Sequence, residues 1–491
     1  MQFSVLTNPV IPVLTRDGEE GELGIRAVFE QAHELRDLRG DTPLERYALL
    51  RLLVAFAMDM LELENARERK ALLKSGRFDM DVFDSYVEAC EKNGSSFDLF
   101  DKNKPFLQSA YDRAFDAKAE KPVACLFQTL PTGNNHVFLD HRMENDHEVS
   151  VAQAFGGMCA LYLFCTAAAQ GYPSSVNNTP PVYAIALGNS LFETIVFNIL
   201  SKRECGNISY GLGDVPWREA ESVVPKKEYP AVTMLGGLTW MPRRITLMQQ
   251  NNGMVKRVYL QQGKNFKGND LWKDPHVPYR KKKDGTFASV KPEAGRAFWR
   301  DVGTMIYDPN GMQTLQPLVL KLLENVFELD TQPVSIRATG LVTNQASIVQ
   351  WQEDELRIPA ALLRSEVCAM MLREDIAQIE TAQQQISIAI RKRLDDAMAE
   401  ETKTVFLRNI QNIVFGECMD QILAIESAED IDEAIEEHEK WLDDVILKEM
   451  MQAIKQVIEP SGNDYKAMLI HEDIRKDTYY GYKRFAKGGR A

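Results

Sequence analysis

The sequence predicts an α+β protein, with a large mixed domain over residues 1–355 followed by an antiparallel four-helix bundle over residues 356–491. Up to about residue 355, short strand-like runs alternate with helix-like segments, which is typical of a mixed domain. Beyond that point the chain carries long amphipathic segments. Their apolar residues recur at the spacing of one buried helical stripe, as at Leu363, Val367, Met370, Leu372, Ile376, Ile379, Ile386, Ile390 and Leu394.

The bundle is completed by further helices, predicted over about 402–425, 430–458 and 463–484. The run Pro460-Ser461-Gly462 separates the last two. Helices joined by such short connections pack beside each other in opposite directions, so four of them predict an antiparallel bundle.

The large domain begins with two predicted strands, Phe3–Leu6 and Val10–Val13. Its helices are predicted over about 24–36, 43–64, 149–169 and 190–201. The second of them starts with Thr42-Pro43-Leu44-Glu45, a capping box with proline at the first helical position. This helix is apolar on almost all sides, which predicts that it lies inside the domain.

A polar stretch, Thr343–Ser347, lies between the strand-like runs Val334–Arg337 and Ile348–Trp351 and is predicted to be the tip of a hairpin. The side-chain amides of Asn344 and Gln345 at this tip allow two interpretations. One is a solvated turn, in which Asn tolerates a left-handed backbone. The other is a polar wedge that meets nucleic-acid bases edge-on, because an amide carries both a donor and an acceptor. The residue types alone leave both open.

Composition places the chain among ordinary globular proteins. It has 491 residues, of which 45% are apolar and 26% charged. The most apolar helical stretch, Tyr47–Leu63, is interrupted by Arg51 and Asp59 and falls short of the roughly 20 residues that a membrane span needs. Seven scattered cysteines, none spaced as C-x-x-C, argue against a disulfide framework and a thiolate zinc site. These features predict a cytoplasmic protein without a cofactor.

The charge is unevenly distributed along the chain. The formal net charge is −14, which is unusual for a nucleic-acid-binding protein. Residues 251–300 nevertheless hold twelve Lys or Arg against four acids, whereas residues 426–449 hold eleven acids against two lysines. Phosphate contacts are therefore expected in the basic middle segment.

Three of the seven histidines lie close together in one polar stretch of the chain. Together His136, Asp140, His141 and His147 offer a divalent-metal site for phosphodiester hydrolysis. Their intervals match no compact ligand pattern, and most loop histidines are simply solvated. A metal-dependent nuclease using these four residues is the alternative function.

Five runs, spread over most of the length, carry a family resemblance. They are Asn8–Val13, Lys104–Gln108, Leu235–Ile245, Leu271–Pro278 and Asn344–Ile348. The third contains a Gly-x-x-Trp-x-Pro pattern, and the fourth a Leu-Trp-x-x-Pro-His-x-Pro pattern. In the same order, these runs resemble the CasA family, the large subunits of the type I-E CRISPR surveillance complex Cascade.

The resemblance implies a protein that recognises the protospacer-adjacent motif (PAM) in double-stranded DNA and starts to separate the strands, so that guide RNA pairs with the target. The run Asn344-Gln345-Ala346 resembles the wedge at the tip of the family's hairpin. Lys264 lies near the position of a lysine that faces the PAM, with Lys267 as the alternative. Gly171 matches the first glycine of a loop that approaches the minor groove, although the loop is shorter here.

A second nucleic-acid contact is implied at Phe138, which falls at the position of a family aromatic in a loop that reaches the 5′ handle of the guide RNA. An aromatic side chain there is suited to stacking on an unpaired base. The sequence shows no nucleophile-base pair, phosphate-binding loop or convincing metal set, so the chain is predicted not to be an enzyme. The implied partners are other Cascade subunits, the guide RNA, double-stranded target DNA and a separate helicase-nuclease, with no membrane.

Overall fold

The computed structural model describes residues 2–130, 147–167, 171–206, 208–219, 223–268, 272–311, 313–325, 333–344, 347–459 and 464–488. The chain divides into two compact units. Unit 1 comprises Met1–Phe298, Gly311–Glu328 and Ser335–Leu356, and unit 2 comprises Trp299–Asn310, Leu329–Val334 and Arg357–Ala491. Helices and strands are mixed in unit 1, and the C-terminal residues are helical, which confirms the predicted mixed fold with helices at its end.

The strands are short except in two hairpins. In chain order they are β1 (Ile11–Thr15), β2 (Glu20–Leu23), β3 (Leu35–Leu38), β4 (Glu120–Pro122), β5 (Tyr183–Leu187), β6 (Glu228–Tyr229), β7 (Arg243–Gln249), β8 (Val255–Gln262), β9 (Asn265–Phe266), β10 (Tyr279–Lys281), β11 (Phe287–Ser289), β12 (Thr314–Leu315), β13 (Val334–Asn344) and β14 (Ser347–Ile358).

The helices of unit 1 are mostly short, whereas those at the end of unit 2 are long. In chain order they are α1 (Ile25–Gln31), α2 (Pro43–Leu61), α3 (Ala66–Ser75), α4 (Met80–Lys92), α5 (Arg113–Asp116), α6 (Val151–Phe164), α7 (Leu191–Asn198), α8 (Lys202–Cys205), α9 (Met234–Leu238), α10 (Leu318–Lys321), α11 (Glu366–Arg391), α12 (Asp396–Ile413), α13 (Met419–Glu426), α14 (Ile431–Ile458) and α15 (Tyr465–Gly488). No helix of the described residues is both long and apolar enough to cross a membrane.

Two small sheets of unit 1 position the candidate site. In the first, β8 lies between β4 and β7 and is antiparallel to both. In the second, β13 lies between β5 and the edge strand β14. Strand β13 runs antiparallel to β5, with Ile336 opposite Ala186. The hairpin β13–β14 is thereby attached to a buried strand rather than extending from the surface alone.

Helix α2 forms the centre of the core of unit 1, as its apolar sequence predicted. Its cap is Thr42, whose hydroxyl accepts from the backbone N–H of Glu45 at 3.2 Å. The carboxylate of Glu45 accepts from the backbone N–H of Asp41 instead of that of Thr42, so only half of the predicted capping box forms. Burial, followed by the nearby charge of Asp41, raises the pKa of Glu45 to about 7.

Four predicted bounds are wrong. The helix predicted over about 149–169 ends at Phe164. Residues 3–6 form no strand, because Ser4 makes only an isolated bridge to Asp98 before the chain turns. The first helix ends at Gln31, and the residues predicted as its last turn lead into strand β3. The predicted helix over 402–425 begins earlier, at Asp396, and is interrupted by a π-helical turn, Val414–Cys418, between α12 and α13.

Candidate nucleic-acid interface

Two of the sequence runs pack against each other inside unit 1. Helix α9 carries Gly237, and the indole of Trp272 lies so close to it that an added Cβ would fall 2.1 Å from a ring carbon. The indole N–H of Trp272 donates to Oδ1 of Asn177 at 2.9 Å. Any larger side chain at Gly237 would displace this ring, so the Gly-x-x-Trp-x-Pro run and the run containing Trp272 form a single packed block.

A buried ion pair from α2 fixes this block. The guanidinium of Arg51 donates to the two carboxylate oxygens of Asp274 at 2.6 and 3.0 Å, and both side chains are at most 2% exposed. The same guanidinium donates to the carbonyls of Gly237 and Leu238. Burial alone would raise the pKa of Asp274, but the charge of Arg51 holds it below its usual value. Such a bidentate, fully satisfied pair is the arrangement in which a buried charge is tolerated.

His276 completes the network as a neutral imidazole. Burial, followed by the charge of Arg51, lowers the pKa of His276 to about 4. Because a guanidinium only donates, Nδ1 of His276 accepts from Arg51 at 3.3 Å, and the hydroxyl of Tyr47 lies 2.9 Å from the same nitrogen. Nε2 therefore carries the proton and faces the carbonyl of Asn198 at 3.4 Å. These contacts give His276 a structural role.

Lys264 lies two residues beyond β8, beside this block, with its ammonium in an ion pair. Nζ lies 2.8 and 3.1 Å from the two carboxylate oxygens of Glu219, and the side chain of Lys264 is 7% exposed. The ammonium also lies 5.8 Å from the ring centroid of Trp240 and 5.6 Å from that of Tyr229, within the range of cation–π attraction. Since the side chain of Glu219 is 32% exposed, the pair lies at the edge of the surface.

The backbone beside Lys264 is also closely packed. Its N–H donates to the carbonyl of Met241 at 2.9 Å. At the preceding Gly263, an added Cβ would lie 2.5 Å from the backbone N of Arg243 and from the carbonyl oxygen of Met241. Only glycine fits this approach, and it brings Lys264 against the Trp240 run.

The loop of Gly171 reaches the same end of β8 as Lys264. Gly171 has a φ of +75°, a left-handed conformation that favours glycine. An ideal Cβ at Gly171 would lie 3.6 Å from the side-chain nitrogen of Gln262, the last residue of β8. The structure therefore brings two of the predicted DNA-binding residues to one place, although 93 positions separate Gly171 from Lys264 in sequence.

Arg243, the first residue of β7, ties this loop to the sheet. It is the cross-strand partner of Gln262. Its guanidinium lies 5.1 Å from the ring centroid of Tyr172, donates to the carbonyl of Thr166 at 3.0 Å and also donates to the carbonyl of Pro173. The backbone on both sides of Gly171 is thus held by one cation.

The base of the β13–β14 hairpin is held by ion pairs. Nη2 of Arg337, from β13, lies 2.5 Å from Asp37 and 2.6 Å from Glu355 of β14. A second pair joins Arg46 of α2 to Glu353 of β14. Asn344, the last residue of β13, is exposed at the other end of the hairpin. The hairpin therefore presents Asn344 from a firmly anchored base.

Several predicted site residues are not among those that the structure describes. They are Gln345 and Ala346 at the hairpin tip, Phe138 of the predicted RNA-handle loop, and His136, Asp140 and His141 of the alternative metal site. The fourth residue of that alternative site, His147, is described and is only 3% exposed.

The basic residues of the middle segment differ in their surroundings. Arg280–Lys283 are exposed around the β10–β11 hairpin, as expected for a phosphate-contacting or solvated loop. Lys267 is exposed as well, in contrast to Lys264. The two candidate lysines are therefore distinguishable by experiment.

Sequence reasoning missed Glu219 and Arg243, which organise the site. The only sequence feature that could have indicated Arg243 is its position in the run Leu235–Ile245, directly after Trp240–Pro242. Glu219 lies 45 positions before its partner Lys264, outside every recognised run, and carries no local signal.

Comparison with known proteins gives a consistent result. A family model for the CRISPR-associated protein Cse1 matches residues 5–455. A curated relative, "CRISPR-associated protein CasA/Cse1" of Thermus thermophilus, is 25% identical over 381 residues, which cover 74% of this chain and 72% of the relative.

Solved structures share the fold at lower identity. Thermus thermophilus CasA (Cse1) superposes with a TM-score of 0.75 at 19% identity, covering 99% of this chain and 100% of that one. Cse1 from Acidimicrobium ferrooxidans gives a TM-score of 0.75 at 20% identity, covering 99% of both chains. A chain of a "CRISPR RNA-guided surveillance complex" gives a TM-score of 0.78 at 19% identity, covering 97% of this chain and 99% of its own.

Proposed function

The chain belongs to the Cse1, or CasA, family of CRISPR-associated proteins, and we propose that it is the non-catalytic large subunit of a type I-E Cascade surveillance complex. In this role it recognises the PAM in double-stranded DNA, promotes local strand separation and R-loop formation, and helps to recruit a helicase-nuclease. The observation that carries the proposal is the convergence of the Gly171 loop and Lys264 at one end of β8. Close backbone approach and a positioned ammonium together suit contact with a duplex edge.

Lys264 contributes a directed hydrogen bond rather than diffuse attraction. Among the residues that the structure describes, two of the three N–H donors of the Lys264 ammonium bond to Glu219. The third donor can therefore bond to an acceptor on the DNA. An ammonium already held in place loses less conformational freedom on binding than that of an exposed lysine. Because Glu219 offsets the charge, the contact favours a particular acceptor over phosphates in general.

The hairpin supplies the strand-separating element. Asn344, Gln345 and Ala346 occupy the space of the first base pair beside the PAM while the Lys264 contact holds the duplex. A wedge transmits force only if its base resists displacement, and the ion pairs of Arg337 at the base of the hairpin support that requirement. The pairing of β13 with the buried strand β5 supports it as well.

The remaining partners are the guide RNA and the other Cascade subunits. Phe138 stacks on an unpaired base of the 5′ handle, which attaches this subunit to the rest of the complex. With a net charge of −14, the isolated chain has little general attraction for DNA. Affinity for the duplex therefore depends on the assembled complex, with the exposed basic residues 280–283 adding phosphate contacts.

The C-terminal helices, from about residue 356 onward, form an antiparallel four-helix bundle in which α12 and α13 act as one helix broken by the π turn. The contacts of α11 with α12, α13, α14 and α15 support this arrangement. The bundle is the part of the subunit that helps to present the opened DNA to the helicase-nuclease.

Replacing Lys264 by Ala is expected to weaken PAM-dependent binding of the assembled complex by about 1.5–3 kcal/mol, because one charge-assisted hydrogen bond is lost. Binding to targets with and without the PAM should be measured by titration. The loss should be the same on a target that carries a preformed bubble beside the PAM, since Lys264 holds the duplex rather than opening it.

Two further variants control this experiment. Lys264→Met keeps the aliphatic stem against Trp240 and Tyr229 and should reproduce the loss if the ammonium is responsible. The exposed Lys267→Ala should leave the preference for the PAM unchanged. A loss in Lys267→Ala with normal binding by both Lys264 variants would transfer the role to Lys267.

Replacing Phe138 by Ala is expected to loosen association of this subunit with the rest of the complex by about 1–3 kcal/mol, the contribution of one stacked base. Phe138→Tyr, which keeps the aromatic face, should bind normally. Subunit dissociation measured by gel filtration or interferometry distinguishes the two variants.

The same loop tests the alternative function. Joint replacement of His136, His141 and His147 should remove no catalytic activity, with folding verified by circular dichroism because His147 is buried. Metal-dependent DNA cleavage by the purified wild-type chain, lost in this folded triple variant, would establish the nuclease instead.

A further inference from the structure

Three buried side chains of unit 2 converge on one point. Asp375 comes from α11, Cys418 from the end of the π turn and His438 from α14. Sγ of Cys418 and Nε2 of His438 each lie 3.0 Å from the same oxygen, Oδ2 of Asp375. One potential ligand atom of each residue lies within 4.8 Å of the others, and no member of the cluster is more than 2% exposed.

The π turn places Cys418 in this cluster. A π turn widens an α-helix by one residue and costs regular hydrogen bonding, and such turns are frequently found at functional sites. Here the turn spans Val414–Cys418, and its last residue is the one that reaches Asp375. The irregularity and the cluster coincide at the same residue.

The hydrogen bonding around His438 suits a metal ligand. Nδ1 of His438 lies 3.0 Å from Oε1 of Gln421, an acceptor, so the ring proton belongs on Nδ1. Nε2 then directs a lone pair at Oδ2 of Asp375, which is also an acceptor. In a neutral ring, these two acceptors 3.0 Å apart in a buried site repel each other unless a proton or a metal ion lies between them.

We propose that Asp375, Cys418 and His438 bind one zinc-type divalent ion that joins α11, the π turn and α14. Carboxylate oxygen, thiolate sulfur and imidazole nitrogen are all zinc ligands, and the thiolate disfavours magnesium and calcium. Bonds of the usual zinc lengths at tetrahedral angles would place ligand atoms about 3.5 Å apart. The two separations from Oδ2 of Asp375 are 3.0 Å, and the third is at most 4.8 Å, so a shift of about 0.5 Å would bring the atoms to zinc-binding distances.

Each side chain has a defined role in the proposed site. Thiolate formation releases the proton of Cys418 to solvent when the ion binds. Gln421 fixes the tautomer of His438 and is a positioning residue rather than a ligand. Three protein ligands leave the fourth position of a tetrahedral ion for a water molecule. This site is independent of the proposed DNA contacts, which all lie in unit 1.

Cobalt substitution tests the site in the purified full-length chain. After treatment with a chelator and dialysis, one equivalent of Co²⁺ should produce a thiolate-to-cobalt charge-transfer band in the near ultraviolet, and Zn²⁺ should displace it. Cys418→Ser should abolish that band. Gln421→Ala, which leaves all three ligands in place, should weaken Co²⁺ binding by about 10–100-fold.

A second buried cysteine of unit 2 provides the control. Cys368 of α11 is fully buried, and its Sγ faces the carbonyl of Ile422 at 3.7 Å, outside the cluster. Cys368→Ser should keep the full charge-transfer band. Absence of stoichiometric Co²⁺ binding by the folded wild-type chain would overturn the proposal, as would an undiminished band in Cys418→Ser. Either result would make the cluster a hydrogen-bonded triad that holds a proton.

Discussion

Replacing Asp274 by Ala is expected to lower the free energy of unfolding by about 3–5 kcal/mol, because it leaves the guanidinium of Arg51 buried without its counter-charge. The wild-type pair is bidentate, with distances of 2.6 and 3.0 Å, and neither side chain is more than 2% exposed. Chemical denaturation of the full chain, followed by circular dichroism, measures the loss in the transition that includes unit 1.

The chain offers a matched control in an exposed pair of the same residue types. Arg26 and Asp84 lie 2.9 Å apart, with side chains that are 38% and 53% exposed. Asp84→Ala should leave stability unchanged within error, since solvent screens exposed pairs. The double variant Arg51→Met with Asp274→Leu should recover much of the stability, because it removes both buried charges together. Equal effects of Asp274→Ala and Asp84→Ala would contradict the assigned role of the buried pair.

The second large effect is expected at the hairpin tip. Asn344→Ala combined with Gln345→Ala should impair guide-RNA pairing on an intact duplex by about tenfold, since the wedge would no longer offset the loss of one stacking step of about 1–2 kcal/mol. The defect should largely vanish on a target with a preformed bubble beside the PAM, where the opening cost is already removed. R-loop formation by the assembled complex on the two targets measures the difference.

Gln350 provides the control for the wedge. It is an exposed glutamine on β14 of the same hairpin, away from the tip, so Gln350→Ala should form R-loops normally on both targets. If the double variant were equally impaired on intact and bubbled targets, the amides would not open the duplex. Gln345 would then be better assigned to recognition of the motif itself.

Much of the fold around the site follows from local sequence signals. The uniform apolar character of α2 predicted its burial, and Thr42 with Pro43 predicted its first residue correctly. Arg51 and Asp59, which interrupt the apolar run, are buried as well, and each is paired, Arg51 with Asp274 and Asp59 with Arg218. A buried charge inside an apolar helix predicts that an oppositely charged residue lies beside it. The sequence does not predict which residue this is, because tertiary contacts determine it.

The geometry of the candidate site depends on contacts between residues that are far apart in the sequence. Lys264 was identified by resemblance, but its burial against Glu219 could not be predicted, since charged residues in a basic segment usually face solvent. The π turn that ends at Cys418 has no proline and carries only Gly416 as a weak local irregularity. The scattered cysteines do not indicate the proposed cluster of Asp375, Cys418 and His438, because spacing rules detect ligands that are close in sequence and not ligands brought together by packing helices.

The central claim, that this subunit recognises the PAM, is tested most directly by a motif-library binding assay on the assembled complex. The library consists of duplex targets that share one guide-matched sequence and carry random bases beside it. It should be selected separately by three complexes, which contain the wild-type chain, contain the Lys264→Met variant or lack this subunit. We expect a short motif to be enriched with the wild-type chain, weakly enriched with Lys264→Met and not enriched without the subunit. Enrichment of the same motif by the complex that lacks this chain would contradict the claim.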